Sequence, residues 1–149
     1  MRSLAITYGT GIALVLIAYF LLLKIIGLHS YPVLSAFNGV VYGGGILVAM
    51  KRFKAESKSF NYLNGFQIGL FTGGIATALF SVFMAVYIFQ IDTQFANAIL
   101  DSWGLTYNKG GLIIIVSLVM MGLSTTLVLS LAFMQLLKES WNTSKQAAK

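Results

Sequence analysis

Four long uncharged stretches, parted by three short polar breaks, leave this chain few ways to fold. Leu4–Leu23 supplies 20 uncharged residues, which as an α-helix reach about 30 Å, the hydrocarbon thickness of a bilayer. Val33–Met50 is the second stretch, and Gly111–Leu137 the last. Ser59–Ile91 holds 33 uncharged residues, more than one crossing needs, so a span is expected over Gly65–Phe89, with the rest tilted or lying in the interface. The expectation is an all-α membrane protein: one integral membrane domain over residues 1–149, folded as a four-transmembrane-helix bundle with short loops.

Composition excludes the main soluble alternatives. The 149 residues are 58% hydrophobic and 9% charged, against about 25% charged in soluble domains. The net charge of +6 does not point to nucleic acid, because the cations stand at the ends of apolar stretches and form no basic stripe beside stacking aromatics. There is no cysteine, so disulfides, thiolate metal sites and thiol nucleophiles are excluded. Arg2 before an apolar run resembles a secretory signal, yet Lys24-Ile25-Ile26-Gly27 offers no small-x-small cleavage site, and the run reads as a retained anchor.

The breaks set the topology. Gly27 ends the first helix, Ser30 offers a cap, and Pro32 suits the first turn of the next. Lys51, Arg52, Lys54 and Lys58 make a basic loop. Four crossings place Arg2, Lys51, Arg52, Lys54, Lys58, Lys138, Lys145 and Lys149 on one side and only Lys24 and Lys109 on the other. The positive-inside rule then puts both termini in the cytoplasm of a bacterial inner membrane. Lys24 is expected to snorkel to the outer interface. In the longest connection, Asp92-Thr93-Gln94-Phe95 reads as a cap and first turn, and Phe95, Ile99 and Trp103 share one face. A short interfacial helix is expected there, either a lid on the bundle or a docking surface.

Helices in lipid associate through small residues that let backbones approach. Gly65, Gly69 and Gly73 form a stripe in span three. Ser35, Gly39 and Gly43 repeat the spacing in span two, Gly122, Thr126 and Ser130 in span four, and Gly9 with Ala13 serve span one. Gly43-Gly44-Gly45 also admits a second reading, an unwound segment whose carbonyls coordinate an ion.

Chemistry has little to work with. Glu56, Asp92, Asp101 and Glu139 all lie at or beyond span ends, which argues against a carboxylate proton relay. His29 stands alone in a turn, and no nucleophile–base pair stands out. No enzyme, cofactor or metal site is expected.

Tyr8-Gly9 opening span one, Phe60 in a basic loop, Gly65-Phe66-Gln67-Ile68-Gly69 and the terminal Ile91-Asp92 together resemble a domain-of-unknown-function family of uncharacterised four-helix inner-membrane proteins found mainly in Bacteroidetes. The resemblance covers nearly the whole chain, and it implies location and topology without an activity. Two functions remain open. One is an accessory or scaffolding subunit that meets lipid and a membrane-protein partner or further copies of itself. The other is a small oligomeric carrier or channel with a polar path along Asn38, Tyr42, Asn64, Gln67 and the Ser/Thr residues of spans three and four.

Overall fold

A computed structural model describes residues 1–28, 32–57, 60–102, 104 and 110–137, with the side chains of Pro32, Val33, Ser35 and Ser102 outside that description. The described residues form helices α1 (Arg2–Ile25), α2 (Pro32–Glu56), α3 (Tyr62–Val86), α4 (Phe95–Ser102) and α5 (Gly110–Leu137), with a π-helical extension of α3 over Tyr87–Ile91. No strand occurs among them. Three helices, α1, α3 with its extension, and α5, are long and apolar enough to cross a membrane.

Local sequence explains the boundaries. Gly27 turns into the left-handed region at φ 78°, and its N–H donates to the Lys24 carbonyl at 3.0 Å while that of Leu28 reaches the Leu23 carbonyl at 2.8 Å. These paired bonds close a Schellman stop, which glycine permits without strain. Asn61 caps α3, its side chain accepting from the Asn64 N–H at 2.8 Å. Asp92 caps α4 in the same way, accepting from the Phe95 N–H at 3.0 Å. At the π-helical end of α3, the Asp92 N–H reaches the Tyr87 carbonyl five residues back at 2.9 Å.

One expectation needs correction. Lys51, Arg52 and Lys54 are not in a loop; they form the last turns of α2, which runs to Glu56. Lysine, arginine and glutamate are good helix formers, and the Arg52–Glu56 ion pair at 2.6 Å spans one turn, an arrangement that supports a helix. Lys58 lies outside the described residues.

Contacts along the helices fix their directions. Phe20 of α1 packs edge-on against Phe83 and Tyr87 at the end of α3, whereas Gly9 meets Thr72 and Ile75 nearer its start, so α1 and α3 run parallel. Between them α2 runs the opposite way. Its start meets the end of α1, where the Tyr19 hydroxyl donates to the Leu34 carbonyl at 3.0 Å, and its end meets the start of α3, where Phe53 packs against Phe60. α5 is antiparallel to α3, with Gly111 against Ile88 and Met134 against Gly65. α3 is the central helix, packed on α1, α2 and α5. Arg2, Lys51, Arg52 and Lys54 therefore gather at one end and Lys24 at the other. There the Lys24 ammonium does not simply reach outward; it sits 4.4 Å from the centroid of the Tyr87 ring, whose electron-rich face attracts it.

Candidate functional site

The interior is organised by a ladder between α3 and α5. Every fourth residue of α3 from Gly65 is small or hydroxylated: Gly65, Gly69, Gly73, Thr77, Ser81. On α5 the matching run is Gly122, Thr126, Ser130, Met134. The helices are antiparallel, so Gly65 faces Met134, Gly69 faces Ser130, Gly73 faces Thr126, and at the next rung the roles reverse, with Gly122 facing Thr77. A Cβ on Gly69 would lie 2.5 Å from the Ser130 hydroxyl, and one on Gly73 2.5 Å from a Thr126 methyl. Each rung thus pairs a glycine with a larger side chain, the close approach that helix association in lipid requires.

A second face closes over the ladder. Tyr42, Ile46 and Met50, one turn apart on α2, are buried, and Ile46 and Met50 reach Gly73 and Gly69. One turn further on, the Lys54 ammonium donates to the Leu137 carbonyl at 2.8 Å, a bond that joins α2 to α5.

Tyr42 is the polar centre. Its hydroxyl donates to the Gly73 carbonyl at 2.8 Å, lies 2.7 Å from the Thr77 hydroxyl, contacts that of Thr126 and stands 3.3 Å from the Gly122 carbonyl. Thr126 also donates to the Gly122 carbonyl at 2.6 Å. Five oxygens from three helices therefore converge, already in mutual hydrogen-bonding contact. A tyrosine hydroxyl has one proton and two lone pairs; with that proton on the Gly73 carbonyl and the Thr126 proton on the Gly122 carbonyl, Thr77 is the donor to Tyr42.

Around this knot lie buried polar atoms that are not saturated. Asn38 Oδ1, Thr72 Oγ1, Ser81 Oγ and Ser130 Oγ have no hydrogen-bond partner among the described residues. Asn38 precedes Tyr42 by one turn and Ser81 follows Thr77 by one turn, so in antiparallel helices both stand one step from the knot in the same direction. Asn64 and Gln67 do not join them. Gln67 is ten residues before Thr77, about 15 Å along α3, and both are only half-buried.

The remaining candidates are placed as follows. Gly9 abuts α3, where a Cβ would lie 2.8 Å from the Thr72 carbonyl oxygen, and Ala13 is buried. Gly43 faces Leu129, but Gly39 does not pack. It is on the outer surface with nothing within 4 Å of a Cβ, because the inward face of α2 follows the Asn38, Tyr42, Ile46 register. Ser35's side chain is outside the described residues. Across Gly43-Gly44-Gly45 the α-helix is continuous, so the unwound reading fails; Gly45 instead admits Ile12 of α1. In α4, Phe95 is buried against Phe20 and Tyr87, Leu100 is buried and Ile99 half-buried. The apolar side of α4 is folded onto the helix ends. Trp103 lies outside the described residues.

Thr77 and Ser81 stand in the sequence only among the Ser/Thr residues of span three, outside the small-residue stripe. Their signal was present, since they continue the four-residue glycine spacing of α3. No protein-family model, curated protein or solved structure matches the chain.

Proposed function

We propose that this chain is a multi-pass inner-membrane protein without a catalytic site, acting as an accessory or scaffolding subunit that packs against a larger membrane assembly. The observation that supports the reading is the buried Tyr42 hydroxyl, bonded to α3 and in contact with α5 in the α2/α3/α5 interior, where its partners are protein groups. The outer surface is what the protein offers. α5 turns Ser117, Ser124, Thr125 and Gln135 outward, and outward-facing polar side chains on an apolar helix are the kind that bond to a neighbouring helix.

Four crossings and cytoplasmic termini belong to the same reading. Since α1 and α3 are parallel, α2 must return the chain over the length that they cover. Val33–Met50 is uncharged and long enough for that crossing. The cations at the shared end of α1, α2 and α5 support a cytoplasmic placement of that end.

A small oligomeric carrier is the second reading. It is favoured by the unpartnered Asn38 and Ser81 oxygens, which would suit a polar solute or water. Purification in mild detergent at native expression separates the two. The accessory reading expects a stoichiometric membrane partner, lost on Ser124→Leu while the fold is kept. Recovery only as a lone species or a homo-oligomer counts against it.

A further inference from the structure

At the cationic end, a groove of about 430 Å³ opens between the first turns of α1 and the last turn of α2. Ser3 and Tyr8 line it from one side, Arg52, Glu56 and Ser57 from the other. Arg52 bonds Glu56 through Nε, at 2.6 Å, with its side chain 60% exposed. An exposed pair of this kind is weak, and a guanidinium bonded through Nε still presents its two terminal nitrogens, the fork that fits a phosphate. Arg52 and Glu56 are the charged side chains that line the groove; Arg2, Lys51 and Lys54 do not line it, but they make that end of the protein net positive.

Beside the groove lies an exposed, largely apolar seam between α1 and α2. On α1, Tyr8, Gly11 and Val15 follow one another on one face; on α2, Arg52, Val48 and Gly44 do the same at four-residue steps. The helices are antiparallel, so both runs leave the groove in one direction, toward the middle of the helices. Ile12 against Gly45 forms the floor of this seam. Gly11 and Gly44 each have nothing within 4 Å of a Cβ, and Val15 and Val48 are each 52% exposed. The result is a polar groove holding Arg52 beside an exposed apolar seam of small residues and valines.

We propose that this surface binds one anionic phospholipid, its phosphate held by Arg52 with the Ser3 and Ser57 hydroxyls, and one acyl chain lying over Gly11 and Gly44. The inference rests on the membrane-spanning reading, and it is independent of any protein partner. A phosphatidylcholine would set its own cation beside Arg52, so the site selects for net negative headgroups.

Native mass spectrometry of the full chain in detergent tests this, with phosphatidylglycerol or phosphatidylcholine of the same chains added, and glycerol phosphate as the chainless control. Wild-type protein should retain phosphatidylglycerol over phosphatidylcholine by about fivefold, as one cation near the headgroup gives. Arg52→Gln should abolish that preference, and Lys51→Gln, with the same change of charge, should keep it. Gly44→Leu should weaken retention of both lipids by filling the seam. Equal retention by the wild type, equal losses in the two charge variants, or binding of glycerol phosphate as tight as that of phosphatidylglycerol would each overturn the proposal. Extraction of the chain by alkaline carbonate would instead overturn the membrane reading beneath it.

Discussion

The Tyr42 hydroxyl of α2 donates to the backbone carbonyl of Gly73 in α3 at 2.8 Å. Each backbone carbonyl has two lone pairs, so this one can accept from Tyr42 while it serves the helix, and the missing Gly73 side chain lets α2 and α5 come close beside it. The same oxygen reaches α5 through Thr126 and Gly122, so one phenol ties three helices.

Tyr42→Phe keeps the ring and removes the hydroxyl. It should lower stability in detergent by about 1 kcal/mol, within the range for interhelical hydrogen bonds in membranes. Combined with Thr126→Val the losses should fall short of additive, because both variants cut one network. Reversible unfolding in mixed micelles measures this; strictly additive losses would show that the two hydroxyls are uncoupled.

Glycines should divide by position. Gly9→Ala would drive a methyl to 2.8 Å from a backbone oxygen and 2.9 Å from Ile75, and overpacking of this kind costs about 1–3 kcal/mol. Gly39→Ala meets open space and should be neutral or stabilising, since alanine favours helix by about 1 kcal/mol. The same unfolding assay ranks the pair.

Much of this architecture was legible in the sequence, and the misses have physical causes. Helix positions followed from uncharged length, and the α3 and α5 stripes from their spacing of four. The basic segment was misread because charge marks a membrane edge without marking a helix end: Arg52 and Glu56 extend α2 past it. Gly39 was misplaced because a spacing of four fits several faces of a helix. Only the neighbours decide, and here Tyr42 faces inward. The joining of Tyr42 to Thr77 was out of reach because pairing between helices leaves no mark in a single sequence.

Asp92→Ala should release α4. Removing an N-cap costs about 1 kcal/mol, and Asp92 also receives the Tyr87 hydroxyl at 3.4 Å. Hydrogen exchange over Phe95–Ser102 should accelerate several-fold while the α3 ladder stays protected. Unchanged exchange would mean that the buried apolar side of α4, Phe95 and Leu100 included, holds the helix down without the cap.

In liposomes the purified protein should pass no solute or ion, and Asn38→Leu should change nothing in that assay. A flux abolished by Asn38→Leu would favour the carrier reading.

The chain's lack of cysteine permits the most direct test of four crossings. Single cysteines at Ser57, after α2, and at Thr93, after α3, are exposed to a membrane-impermeant thiol reagent. Thr93→Cys should react in intact cells, and Ser57→Cys only after the inner membrane is opened. Labelling of both in intact cells, or of Ser57→Cys alone, would contradict the account.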